Sequence, residues 1–471
     1  MKLLNTLYKL INENPNHIVL IVNDKTYTYS DIKKSINVWK GRLEFYGVSQ
    51  RSKVIIHMSE TIDIVGAYFA LCELNCVIIP IDTSAKQSTI YEVIKSSKSH
   101  FVISLQKLNL NDLQQTTLQS LGYTLYRTSY KEKDTTSDIM QFLYTSGTTG
   151  LPKCVMFSKE NIANNIFNLA SELSLSKDDV IYTPISFMLP SALNTVLLPA
   201  LLSGTKVFVS GSTVPSNVLR NIIKQKVTVF FAVPFYYKLL VSNGLCTDIT
   251  WENVRLCLTS SAYLSEEDFN CFYEKSKKAL HSIYCSSEAG TIAYNDSEDI
   301  DSLRKFVGRP LNTCEVSLIN INADGTGEIV VKSGMTSEKY YENEELNKEV
   351  YRNGWIKTGD IGFIHKNRYL EIKGRISESI NIAGHLVNPL EVEKIIQKID
   401  AVKDVVVYKY ISNSNNDMLG AKVMINEGTS IMEKEIIDYC KAALPNYKVP
   451  KKVQFVDNID TGRYGKKKRD V

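Results

Sequence analysis

A chain of 471 residues has room for about two to four domains. With 44% hydrophobic and 23% charged residues, it is neither mostly disordered nor short of core material. Its 55 Lys and Arg against 51 Asp and Glu leave a net charge of +4. Arg463, Lys466, Lys467, Lys468 and Arg469 against Asp470 account for that excess, so no broad basic face for nucleic acid is implied. The nine cysteines are scattered, with no Cys-x-x-Cys pair and no Cys/His cluster. That argues against a disulfide framework and against structural zinc, and a reducing cytoplasm fits best. The N-terminus, Met1-Lys2-Leu3-Leu4-Asn5, lacks the long apolar core of a signal peptide. The most apolar stretch, Ile62 to Ile81, is broken by Asp63, Glu73, Asn75 and Pro80, so no membrane span is expected.

Taken in chain order, strand and helix patterns alternate. Lys53–Met58 reads as a strand, Thr61–Leu74 as a helix, Val77–Ile81 as a strand, Ser88–Lys95 as a helix and Phe101–Ser104 as a strand. The alternation returns with strand Val207–Val209, helix Asn217–Lys226, and strands Thr228–Ala232 and Arg255–Thr259. This predicts helices packed on mostly parallel sheets. After about Asn312 the texture changes. Val316–Ile321 and Glu328–Lys332 flank an Asp-Gly turn, and Trp355–His365 with Arg368–Lys373 reads as a second hairpin. A β-rich subdomain over about 312–374 is expected. Beyond Arg375, helix Pro389–Ile399, strands Val402–Tyr410 and Gly420–Ile425, and helix Ile431–Ala443 form a compact α+β tail.

The most informative segment is Thr145-Ser146-Gly147-Thr148-Thr149-Gly150-Leu151-Pro152-Lys153, which follows a strand-like run. Two glycines let backbone N–H groups approach a ligand, Ser and Thr hydroxyls add donors, and Lys153 adds charge. Together they suit a polyphosphate. The Gly-Lys-Ser/Thr adjacency of the common nucleotide loop is absent.

This segment resembles the phosphate loop of the adenylate-forming enzymes: acyl-CoA synthetases, adenylation domains of nonribosomal peptide synthetases, and luciferases. The other motifs follow in order, so the resemblance runs from Asp24–Tyr29 to Arg469. Tyr284-Cys285-Ser286-Ser287-Glu288 is similar to the family's Tyr-Gly-x-Thr-Glu, with Cys285 for Gly and Ser287 for Thr. It implies that Tyr284 stacks on adenine and Glu288 holds Mg²⁺. Ser260-Ser261-Ala262 resembles the turn beside the acyl pocket, and Thr358-Gly359-Asp360 the motif whose Asp accepts the ribose hydroxyls. Gly374-Arg375 resembles the end of the large domain, with Arg375 on the nucleotide and Ser377 at the hinge, where the family usually has Asp or Lys. Asn381 departs from a frequent Lys, whereas Gly384 matches. Gly465-Lys466-Lys467-Lys468-Arg469 resembles Gly-Lys-Ile-x-Arg, which implies that Lys466 is the mobile catalytic lysine.

The resemblance implies an α/β fold: a large N-terminal AMP-binding domain of stacked sheets over residues 1–376 and a small mobile α+β domain over 377–471. It implies ATP-dependent activation of a carboxylic acid, with Lys466, Glu288 and Lys153 as catalytic groups and transfer to the pantetheine thiol of CoA. A ligase loading a carrier protein is the alternative acceptor reading. The chain ends just past the lysine motif, so any carrier is expected to act in trans. A degenerate nucleotide binder is the reading from a different class. Pro184 to Pro190 aligns with the substrate-pocket motif, and there Met188 stands where α-amino acid enzymes carry Asp. A buried ammonium without a partner is expensive. An apolar or aryl acid is therefore expected beside Phe187, Met188, Ser261, Ala262 and Cys285.

Overall fold

The computed structural model describes residues 2–108, 114–118, 122–131, 138–145, 153–382, 385–412, 417–460 and 469. They fall into two compact units: Met1–Val316 with Val331–Ile356, and Ser317–Val330 with Lys357–Val471.

The first unit contains two large sheets. In the eight-stranded sheet, Lys53–His57 lies between Val77–Pro80 and Phe101–Ser104, all parallel. Helices Thr61–Glu73 and Gln87–Ser97 provide the crossovers that parallel strands require. Thr61–Glu73 is apolar nearly all round and is buried from Ile64 to Cys72, as a helix between packed layers must be. The expectation of mostly parallel sheets holds only in the centre. Strands Ile139–Thr145 and Lys153–Ser158 pair antiparallel because residues 146–152 are too few for a crossover. Lys339–Tyr340 extends that edge, also antiparallel.

In the nine-stranded sheet, Lys206–Val209, Val180–Tyr182, Val229–Ala232, Leu256–Thr259 and Leu280–Ser286 run parallel as successive neighbours. One face is covered by an aromatic cluster. Trp251 meets Phe230 edge-on at 5.4 Å and Phe272 at 4.9 Å, and Tyr237 meets Phe272 at 4.8 Å. Edge-to-face pairing adds to the area these rings bury.

The starting ends of three of these strands are tied by charge. Asp179, Thr228 and Arg255 each immediately precede a strand. Arg255 donates from Nε to Asp179 Oδ1 at 2.8 Å and from Nη2 to Oδ2 at 2.9 Å, while Thr228 Oγ1 donates to Oδ1 at 2.7 Å. Burial pushes the Asp179 carboxyl up, but these donors outweigh it and hold it below the usual carboxylate range. The resulting stability is present above the unfolded carboxylate's pKa and is lost as pH falls through the depressed folded value. Replacing Arg255 by Met is expected to cost about 2 kcal/mol at neutral pH and to flatten the acid side of the stability–pH curve. The cost stays below the about 3–5 kcal/mol of a fully buried pair, because the Arg255 side chain is 38% exposed. Urea unfolding of both proteins between pH 3 and 7 (roughly one carboxylate titration) checks this.

In the second unit, residues 360–364 of the strand Trp355–Ile364 pair antiparallel with Leu370–Arg375, Asp360 lying opposite Arg375. Ile380–Ile382 pairs with His385–Val387. Strands Val402–Ile411, Asp417–Ile425 and Lys452–Phe455 form a three-stranded sheet. Helices Pro389–Ile396 and Glu433–Ala443 share its core, which gathers Val392, Ile396, Val405, Val407, Val423 and Ile436. All nine cysteines are free thiols. Among the described residues, no helix is long and apolar enough to cross a membrane.

Candidate active site

The parallel strands of the nine-stranded sheet deliver the predicted acyl-site residues to one end. Phe187 and Met188 follow Val180–Tyr182. Ser261 and Ala262 follow Leu256–Thr259. Tyr284 and Cys285 lie near the end of the strand Leu280–Ser286, with Ser287 and Glu288 just beyond. All are at the carboxyl ends, where open α/β sheets collect ligands. Phe187, Met188 and Tyr284 are buried, and Ser261, Ala262 and Ser287 are exposed. Ser260 Oγ lies 3.2 Å from Cys285 Sγ and links two of the strand ends. Ser261 holds φ at +74°, unusual for a residue with a side chain. Such strain collects at functional turns.

Glu288 is fixed from an unexpected direction. Tyr340 donates its phenol proton to Glu288 Oε1 at 2.6 Å. The Glu288 carbonyl accepts from the Ser337 backbone N–H at 2.8 Å and from Ser337 Oγ at 2.6 Å. Ser337 Oγ lies 2.7 Å from Tyr351 Oη, and the Tyr340 and Tyr351 rings meet edge-on at 5.7 Å. Burial pushes the Tyr351 phenol above its ordinary pKa, so it stays neutral. Tyr340 pairs with Val155 in the strand that begins at Lys153. Glu288 is thereby tied to the strand emerging from the predicted phosphate loop, whose ends close at the pair Thr145 and Lys153. Ser146, Gly147, Thr148, Thr149 and Gly150 lie outside the described residues.

Sequence reasoning missed Tyr340, Ser337 and Asn165. Asn165 accepts from the Thr291 N–H at 2.9 Å and donates to the Asn194 carbonyl at 3.3 Å, and Asn194 donates to Gln141 at 3.0 Å. This buried amide chain connects the strand after Glu288 with the strand before the predicted phosphate loop. Its only sequence signal is amides in otherwise apolar segments.

The second unit carries the remaining residues predicted to meet the nucleotide. Arg375 Nε lies 2.9 Å from Asp360 Oδ1, and Arg375 Nη2 donates to the Thr358 carbonyl at 3.3 Å. Thr358 Oγ1 donates to the Ile329 carbonyl at 2.9 Å and accepts from the Asp360 N–H at 3.1 Å. The motif is thus held by its own threonine, and its Asp and Arg are paired. Ser377 is exposed in the turn Ile376–Glu378, and Asn381 is exposed on Ile380–Ile382. Gly384 and Lys466 lie outside the described residues.

Comparison with known proteins assigns this chain to the adenylate-forming class of enzyme. The family described as AMP-binding enzyme matches residues 8–341, and the AMP-binding enzyme C-terminal domain matches residues 391–466. A long-chain-fatty-acid–CoA ligase of Mycobacterium tuberculosis is 24% identical over 467 residues, spanning 94% of this chain and 92% of the ligase. ATP-bound MatB from Rhodopseudomonas palustris superposes with a TM-score of 0.85 at 21% identity, covering 98% of this chain and 97% of that one. The o-succinylbenzoate CoA synthetase of Bacillus subtilis, solved with an acyl-adenylate, gives 0.82 at 24% identity, covering 99% and 97%. The chain belongs to the AMP-binding enzyme family and is an adenylate-forming ligase.

Proposed function

We propose that this enzyme is an acid–thiol ligase that activates a carboxylic acid with ATP and transfers the acyl group to CoA. The observation that carries this reading is the Glu288–Tyr340 pair, which fixes a carboxylate beside the strand leaving the phosphate loop. In the first step a carboxylate oxygen attacks the α-phosphorus, the bond to the β-phosphate oxygen breaks, and pyrophosphate leaves. In the second, the CoA sulfur attacks the acyl carbon, AMP leaves, and the thiol proton passes to solvent. The relatives named as CoA ligases support CoA as the acceptor.

Two anions meet in the first step. Lys153 and Lys466 offset their repulsion, while Ser146, Gly147, Thr148, Thr149 and Gly150 with Thr145 cradle the phosphates. Tyr284 packs on the adenine, Asp360 takes the ribose hydroxyls and Arg375 the nucleotide. Glu288 suits Mg²⁺, since an ion arriving with ATP asks for one or two carboxylates and completes its shell with phosphate oxygens and water. When bound, that ion neutralises charge on the phosphates. Ser377 lies inside the second unit, so a rotation there carries residues 378–471 away from the strands bearing Asp360 and Arg375.

The acid is apolar or aryl. Met188 is 1% exposed and Phe187 5%, and neither offers a partner for an ammonium group. ATP–pyrophosphate exchange over a panel of aliphatic, aryl and α-amino acids tests this, followed by thioester formation with CoA. Exchange with an apolar or aryl acid is expected. Exchange confined to amino acids overturns the assignment at Met188, and absence of exchange in folded protein that binds ATP favours a binder.

A further inference from the structure

We infer that Glu393 and Arg469 form a clamp that positions the chain end bearing Lys466 for adenylation. The inference rests on the role proposed for Lys466. Glu393 stands on helix Pro389–Ile396 and its side chain is 3% exposed. It lies among Val392, Ile396, Val405 and Val407, a setting that penalises a carboxylate unless every oxygen is used. Here both are used. Oε1 accepts from the Val407 N–H at 2.7 Å and from Arg469 Nη1, and Oε2 accepts from Arg469 Nη2 at 3.3 Å. Arg469 Nη1 also donates to the Val407 carbonyl at 3.0 Å. The guanidinium is thus held at once by the helix Pro389–Ile396 and by the edge strand Val402–Ile411 of the three-stranded sheet.

A buried pair of this kind is a weak source of net stability, because an apolar pair of similar volume often does as well. What it supplies is direction: a planar fork seated on a carboxylate and a carbonyl fixes where Arg469 sits. Lys466 is three residues earlier in the sequence. Glu393 is therefore a positioning residue, acting on Lys466 through Arg469.

The test separates positioning from folding. Arg469→Met alone leaves a buried carboxylate, so the informative variant is Glu393→Gln with Arg469→Met. It removes both charges, and the Gln carbonyl still accepts the Val407 N–H. With an accepted acid, exchange kcat is expected to fall roughly 10–100-fold, the effect of a misplaced catalytic group, with KM for ATP and acid within about threefold. Thioester formation from preformed acyl-adenylate and CoA is expected to stay within about threefold of wild type. Arg469→Lys, which keeps charge but loses the fork, is expected to fall between. Wild-type exchange in the double variant, alongside loss in Lys466→Ala, overturns the clamp. So does an equal loss of both half-reactions, which marks a merely structural pair. Undiminished exchange in Lys466→Ala overturns the role of Lys466 instead, leaving the clamp nothing to position.

Discussion

Lys466→Ala is expected to lower acid-dependent ATP–pyrophosphate exchange by about a hundredfold or more, the cost of removing one preorganised donor from a charge-developing site. The argument is electrostatic. An acid carboxylate and a triphosphate are both anions, and a water-excluded site makes each compensating cation worth far more than in solution. Lys153 leads a strand of the first unit, while Lys466 stands three residues before Arg469 in the sequence. The lysine run offers Lys467 and Lys468 as neighbours of the same charge, so Lys467→Ala and Lys468→Ala serve as controls expected within about threefold of wild type. Because Lys466 is proposed to leave before the thiol attacks, Lys466→Ala should still convert preformed acyl-adenylate and CoA to thioester. Equal loss in all three lysine variants would point to the net charge of the tail rather than to one positioned ammonium.

Gly308→Ala is expected to cost about 4 kcal/mol or more of stability, at the large end for a single substitution. Gly308 holds φ at +115°, and a Cβ there would lie 2.1 Å from both the carbonyl carbon and oxygen of Tyr294 and 2.3 Å from the Asn295 nitrogen. These are backbone atoms and cannot rotate aside. Asn295 is itself locked, donating to the carbonyls of Ser302 at 3.0 Å and Phe306 at 2.8 Å. The clash would also push on the strand Gly290–Tyr294, which begins two residues after Glu288, so the folded fraction should adenylate more slowly as well. Gly211→Ala, where a Cβ meets nothing within 4 Å, is the matched control and should stay within about 0.5 kcal/mol. Urea midpoints of the two variants followed by tryptophan fluorescence decide it. A Gly308→Ala protein as stable as Gly211→Ala would mean that the turn relaxes.

Much of this was legible in the sequence because the chemistry is local. Phosphate binding needs glycines, hydroxyls and a lysine within a few residues, and Thr145 to Lys153 supplies them in one run. The hairpin around Asp324-Gly325 and the helices at Thr61–Glu73 and Pro389–Ile396 follow from turn chemistry and periodicity, which act over one or two turns of chain. Strand direction was less legible. The antiparallel edge carrying Lys153 follows from a short connection, which the alternating pattern does not encode.

By itself, then, the sequence determined the family, and it marked out a segment suited to phosphate and the residues able to bear charge. Only the tertiary structure decided what holds them. Tyr340 reaches Glu288 across 52 positions, and Arg469 reaches Glu393 across 76. A tyrosine or a glutamate reads the same in a sequence whether it faces water or a distant partner. Hydrogen-bond partners are chosen by distance and direction in space, and those exist only once sheets and helices have packed.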